Sequence, residues 1–300
     1  MSLIVTGSIG IDSIETPNQT VNDVLGGSSI YFAAAASFFG HVRLVGAVGD
    51  DFPPHFLETF KHFNVDLEGL EQRVGSKTFK WRGKYHQNMN IRDTLSVELN
   101  VLAEALPPVP KAYQDSQYVF LANTHPAGQL ALLENFPNAK LTIADTMDLW
   151  IETEKETLLK LLTKIDGLVL NDSESQQLTG ESNIVLAAEK ILAMGPKFVV
   201  IKKGEHGCFI QHAEGNAALP AYPARDVIDP TGAGDSFAGG MMGYLASQDD
   251  FSFESLKKAM AYGTAIASYN IEAFSLDKIK TISKDCIEKR LNQFAQMLTF

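Results

Sequence analysis

Short apolar runs alternate along the chain with longer segments in which apolar residues recur every three or four positions. Leu3-Ile4-Val5-Thr6-Gly7 and Arg43-Leu44-Val45-Gly46-Ala47-Val48 read as buried strands. The small, apolar segment Ile30–Phe39 between them is long enough for a buried helix, so the N-terminus predicts a β-α-β unit. Further strands are predicted at Tyr118–Ala122, Leu141–Asp145, Gly167–Asn171, Phe198–Lys202 and Cys208–His212. Helical periodicity occupies Ile151–Thr163, Ile184–Met194, Asp235–Ala246, Ser255–Tyr269 and Ser283–Met297. Because strand and helix mostly alternate, the natural packing solution is an α/β fold with a mostly parallel sheet covered by helices on both faces.

Two segments break this rhythm. Residues 12–23 are polar and contain Pro17 and Asn18, and residues 77–99 contain Phe79-Lys80-Trp81-Arg82-Gly83-Lys84-Tyr85, whose aromatic and basic residues alternate with the period of a half-exposed strand. Strands of that kind need another surface to cover. Both inserts are therefore expected to form a small β lid, the second carrying a polar loop at His86–Asp93 and offering a contact for a homodimer. Leu106-Pro107-Pro108-Val109-Pro110 reads as a stiff connector within one domain spanning residues 1–300.

Composition narrows the function. Among 300 residues, 25 Lys and Arg stand against 36 Asp and Glu, a formal charge of −11 that opposes non-specific binding to nucleic acid or an anionic membrane. The longest apolar stretch, Ile30–Phe39, falls well short of the ~20 residues needed to cross a bilayer, and Met1-Ser2-Leu3 opens into a strand without a charged leader. A cytoplasmic chain is expected. Cys208 and Cys286 are too few and too far apart for a disulfide framework or a zinc finger.

The chemistry concentrates in Asp229-Pro230-Thr231-Gly232-Ala233-Gly234-Asp235-Ser236-Phe237. Gly232, Ala233 and Gly234 carry little or no side chain and lead into an apolar helix, so successive backbone N–H groups can face an anion with the positive helix end behind them. Asp235, in the first turn, is expected to be held ionised by the same dipole, which suits a carboxylate that accepts a hydroxyl proton during phosphoryl transfer. An isolated G-x-G-D would equally read as a glycine turn with a helix N-cap.

The nine residues Asp229–Phe237 match, without a gap, the D-x-T-G-A-G-D-x-F signature of the ribokinase-like, or PfkB, carbohydrate kinases, and the chain resembles that family over most of its length. Gly7-Ser8 with Asp12, Gly26-Gly27, Val45–Phe52, Asn171-Asp172-Ser173-Glu174 and Lys202–Gly207 follow in the family's order. The resemblance implies a ribokinase-like doubly wound fold and transfer of the ATP γ-phosphoryl group to a hydroxyl of a small sugar or polyol. A nucleoside acceptor, or a catalytically silent binding protein on the same fold, are the alternatives.

By the same resemblance Asp235 is the base, and Gly232, Ala233 and Gly234 stabilise the transferring group. Asp12 would bind substrate hydroxyls, since a carboxylate offers the two acceptors a vicinal diol needs, although it also reads as a turn former. Gly26 and Gly27 would let backbone approach the substrate, or simply turn before a helix. Glu174 would organise Mg²⁺ and Asn171 would lie near the nucleotide phosphates, with a capped helix start at Asp172 as the plainer reading. Lys202, Lys203 and Gly204 would contact the nucleotide, or form a solvated strand end. Asp229 and Thr231 would hold K⁺ through a carboxylate and a carbonyl, or only tie the turn.

Competing motifs are missing from the sequence, including a G-x-x-x-x-G-K-[ST] P-loop, H-E-x-x-H and G-x-S-x-G. The histidines are scattered, and His125 and His206 read as polar loop residues. One departure from the family bears on the acceptor. Tyr31 stands where many sugar kinases carry Asn, which puts ribose specificity in doubt; an aromatic there can pack against a sugar face or a nucleobase, or fill the core.

Overall fold

The computed structural model describes residues 2–299. The strands are β1 (Leu3–Thr6), β2 (Gly10–Glu15), β3 (Thr20–Gly26), β4 (Val42–Gly49), β5 (Val65–Arg73), β6 (Phe79–Tyr85), β7 (Arg92–Glu98), β8 (Tyr118–Leu121), β9 (Leu141–Asp145), β10 (Gly167–Asn171), β11 (Phe198–Lys202), β12 (Cys208–His212) and β13 (Gly215–Leu219). Nine of them form one sheet in the order β13-β12-β11-β10-β9-β8-β1-β4-β5. All neighbours are parallel except β11–β12 and β12–β13, which add an antiparallel hairpin at one edge.

Each central strand is apolar on both sides because helices cover both faces. Leu3 and Val5 of β1 point into one core with Phe32, Phe120 and Met241, while Ile4 points into the other with Val119, Leu168 and Val199. The chain starts at β1, builds outward through β4 and β5, then returns to β8 on the other side and continues to β13. That reversal places a topological switch point at the carboxyl ends of β1 and β8, the edge at which open α/β sheets bind ligands. No helix among the described residues is long and apolar enough to cross a membrane.

A second, four-stranded sheet in the order β3-β2-β6-β7 combines the two inserts. They are joined by parallel pairing of β2 with β6, Asp12 opposite Trp81. The first insert is longer than its polar stretch suggests, because the hairpin still pairs Gly10 with Gly26. In β6 the expected alternation is seen at its inner end, where Gly83 and Tyr85 are buried while Arg82 and Lys84 are exposed.

Several elements were not legible. β5 is an edge strand with Asp66, Glu68, Glu71 and Arg73 breaking its apolar pattern, and the helix Pro54–His62 begins with a proline that reads as a breaker but is tolerated in a first turn. The helix Pro126–Leu133 and the short strand β13 were likewise not predicted. The single helix expected over Ile151–Thr163 is two, Asp148–Thr153 and Lys155–Leu162, because Glu154 leaves the helical region with φ −129° and ends one helix while starting the next.

Candidate active site

Three polar residues close three apolar strands side by side: Asp145 on β9, Asn171 on β10 and Lys202 on β11. Asn171 and Lys202 are register partners, and Asp145 lies opposite Val169. Facing this row is the N-terminus of the 16-residue helix Ala233–Gln248. Gly232 precedes it in the left-handed region at φ 74°, and a Cβ there would come within 2.3 Å of the Tyr31 ring. A Cβ on Gly234 would lie 2.7 Å from the Lys202 ammonium, so the two glycines admit an aromatic floor on one side and a cation on the other.

Asp235 stands in the first turn of this helix. Burial among protein atoms pushes its carboxyl up, against the pull of the helix end expected to hold it ionised. Lys202 and Arg92 draw it back down. Burial raises Asp145 further still, helped by the charges of Asp235 and Glu174, and its Oδ1 has no hydrogen-bond partner. Glu174 is also raised by burial and lowered by Lys202. One ammonium therefore serves three carboxyl groups.

The residue capping the helix Asp172–Thr179 is Asn171, not Asp172. Its Oδ1 accepts from the Glu174 amide and Glu174 Oε2 accepts from the Asn171 amide, each at 2.7 Å, a reciprocal capping box. This fixes the Glu174 side chain through one oxygen and leaves the other available.

The loop before the glycines is tied from within. Asp229 Oδ1 accepts from the Thr231 amide at 2.9 Å, the Thr231 carbonyl accepts from Asn270 Nδ2 at 2.7 Å, and Ala233 N–H donates to the Pro230 carbonyl at 3.1 Å. Asp229 is fully buried, and burial pushes its carboxyl up to about 6.

Asp12 lies on β2 of the four-stranded sheet, 3% exposed, with its carboxyl over Gly26; a Cβ on Gly26 would come within 1.9 Å of Asp12 Oδ2. Burial, then the charges of Asp229 and Asp235, push it up to about 8. Gly27, in a conformation that favours glycine, caps the helix Ser28–Ala36. Asp12 thus lies against Gly26 and within the field of Asp235.

Beyond Gly234 a cleft of about 440 Å³ runs between Lys202, Gly204, Pro223, Val227 and Ile271, with Asn88, Met89 and Asn90 also lining it. Asn171 and Lys203 lie outside its lining, and the Lys203 amide donates to the Gly207 carbonyl. His125 caps a helix and His206 sits on an exposed turn. Sequence reasoning missed Asp145, Arg92, Tyr85 and Asn270. Asp145 had a signal, a carboxylate closing an apolar strand in the manner of Asn171.

The family model for "pfkB family carbohydrate kinase" matches residues 3–281. The chain belongs to the pfkB family of carbohydrate kinases. Among relatives of this kinase, the cytidine kinase of Thermococcus kodakarensis is 29% identical over 81% of this chain and 87% of its own length. The nucleoside kinase of Methanocaldococcus jannaschii is 26% identical over 88% of this chain and 86% of its own. The structure of aminoimidazole riboside kinase from Salmonella enterica, complexed with aminoimidazole riboside and an ATP analog, superposes with a TM-score of 0.78 at 22% identity, covering 96% of this chain and 99% of that one. This kinase is an ATP-dependent phosphotransferase of the sugar and nucleoside kinase class, on a ribokinase-like fold.

Proposed function

We propose that this kinase phosphorylates the exocyclic hydroxyl of a ribofuranoside, a nucleoside or free pentose, with Asp235 as general base. The observation that carries the reading is the meeting, at one helix start, of a desolvated Asp235, the Lys202 ammonium against Gly234, and the buried Asp12 on the acceptor side. The two relatives named for cytidine and nucleosides support a nucleoside in particular.

In the reaction the acceptor O–H bond breaks, its proton passes to the Asp235 carboxylate, and the oxygen attacks the γ-phosphorus while the bond to ADP breaks. A carboxyl raised by burial suits a base that must hold that proton. Gly232 and Gly234 present backbone to the anion, with Ala233 N–H closing the turn behind them, and Lys202 supplies positive charge to the transferring group. Lys202 and Gly204 hold the nucleotide from the cleft, while Asn171 and Lys203 act through the strand ends they fix.

The donor set fits Mg²⁺: Glu174 has one oxygen free of its capping box, and the orphaned Oδ1 of Asp145 is a second hard oxygen nearby. Glu174, through water, and Asp145 would hold the metal, which when bound neutralises phosphate charge. Asp229 and Thr231 also fit a monovalent cation, because burial pushes the Asp229 carboxyl up while only backbone and Thr231 hydrogen bonds draw it down.

The four-stranded sheet acts as a lid that excludes water. Its edge strand β7 is exposed along its length, with Leu95 and Val97 48% and 47% exposed, which supports a homodimer through the lid. Two free cysteines and the acidic charge support a single cytoplasmic domain over residues 1–300 that binds neither nucleic acid nor membrane. ATP consumption is measured against cytidine, inosine, adenosine, D-ribose and D-fructose. Turnover with a riboside or ribose is expected, and turnover with fructose alone overturns the acceptor reading.

A further inference from the structure

Two polar atoms on the acceptor side are buried without a partner, the Tyr31 hydroxyl and Asp12 Oδ1. They come from different parts of the fold, Tyr31 from the helix Ser28–Ala36 and Asp12 from strand β2 of the small sheet. Tyr31 is 2% exposed, and its ring is wedged against Gly232, so the ring cannot swing to find another partner without displacing the residue that begins the anion-binding turn. Its hydroxyl lies in the field of Asp229, Asp12, Tyr85 and Asp235, with no cation among the charges that act on it most. Buried hydroxyls in folded proteins almost always find a partner, and one left unpaired costs stability. An orphan held this rigidly in a substrate site is a recognition group whose partner arrives with the substrate.

We propose that the Tyr31 hydroxyl and the Asp12 carboxyl together bind the ring diol of the acceptor, each orphaned group taking its missing partner from one hydroxyl. The inference rests on the acceptor placement proposed above. Each hydroxyl of a diol both donates and accepts, as does the Tyr31 hydroxyl. Asp12 offers one unpartnered oxygen, Oδ1, and Tyr31 adds a second orphaned group, so the two match the two hydroxyls of a diol. A deoxy acceptor then strands one of two buried polar groups, which is how a site built for hydroxyls rejects an analogue lacking one. Because the same ring supports Gly232, Tyr31 also connects acceptor recognition with the anion-binding turn.

Tyr31→Phe keeps the ring against Gly232 and removes only the hydroxyl. KM is measured for cytidine, inosine, adenosine and D-ribose, and for the 2′- and 3′-deoxy forms of the nucleosides, in wild type, Tyr31→Phe and Asp12→Asn, with KM for ATP and melting temperature alongside. The wild type is expected to favour the hydroxylated acceptor over at least one deoxy analogue by about 10-fold or more. Tyr31→Phe is expected to raise KM for the hydroxylated acceptor by about 10-fold and erase most of that preference, with KM for ATP unchanged and the melting temperature equal or higher. Wild-type KM and preference in Tyr31→Phe, with Asp12→Asn impaired, overturns the inference alone. If Asp12→Asn is also unimpaired, or if the wild type phosphorylates none of these acceptors, the acceptor placement falls and the inference with it.

Discussion

The hydroxyl of Tyr85 on β6 meets the hydroxyl of Thr231 beside the glycine turn at 3.0 Å. Tyr85 is 5% exposed and packs with Ile14 and Phe274, so this bond is shielded from water. Thr231 is held from the other side by Asn270 through its carbonyl and by Asp229 through its amide. The four-stranded sheet is therefore tied to the backbone that carries Gly232 and Gly234. Tyr85→Phe is expected to lower kcat by about 5- to 10-fold, the worth of one buried hydrogen bond, and to increase ATP hydrolysis without acceptor. Steady-state assays with and without acceptor check both, and normal coupling in the variant removes the lid from control of the turn.

Asp235 and Lys202 are separable by their pH behaviour. Asp235→Asn preserves shape and is expected to lower kcat by on the order of 10²–10⁴ while nucleotide binding persists. Lys202→Met removes the charge that draws Asp235 down, so the carboxyl rises further and a smaller fraction is ionised at any given pH. The acid limb of its kcat/KM profile should move to higher pH. A profile that keeps its position with Lys202→Met argues that Asp235 is not the titrating base.

The parts of this site that were legible in sequence are those where backbone chemistry dictates composition. Gly232 and Gly234 cannot be replaced without meeting Tyr31 or Lys202, so their identity and spacing are visible in one dimension. Strand ends were legible too, since polar Asn171 and Lys202 stop apolar runs. What was not legible depends on contacts between distant segments. Asn270 matters only because it reaches Thr231, 39 residues away, and Tyr85 because lid strand β6 lies over the same loop, 146 residues away. The burial of Asp235 was not legible for a related reason: a helix end is a local feature, but the burial that raises its carboxyl, and the Lys202 and Arg92 charges that oppose it, come from distant segments.

Asp12 leaves a signature in stability. Its carboxyl is pushed up to about 8 from an ordinary 3.8, so between about pH 4 and pH 8 the folded protein binds a proton that the unfolded chain has released. Stability from this group is complete below the unfolded value and lost as pH rises through the folded one. Asp12→Asn removes the titration. Its melting temperature is expected to exceed that of the wild type by on the order of several degrees at about pH 8.5, with the gap narrowing at about pH 5. A gap independent of pH rules out a proton on buried Asp12.

Asp229 is expected to make the rate depend on a monovalent cation. This carboxylate is fully buried and accepts from the Thr231 amide at 2.9 Å and the Ser275 amide at 3.4 Å. Those bonds only partly offset burial, since its carboxyl remains raised to about 6. A weakly hydrated monovalent cation would restore the ionised form, and its charge would bear on a turn whose amides must face phosphate. The Thr231 carbonyl already accepts from Asn270 but has a second lone pair for such an ion. Rates are compared in K⁺ and Na⁺ at constant ionic strength for wild type and Asp229→Asn. K⁺ is expected to stimulate the wild type above about pH 6, where Asp229 is ionised, and to be needed at higher concentration below it, where a proton competes for the carboxylate. Asp229→Asn, which needs no counterion, should lose both the stimulation and its pH dependence. A wild-type rate indifferent to the exchange means that Asp229 only ties the turn, with the Thr231 and Ser275 amides as its sole partners.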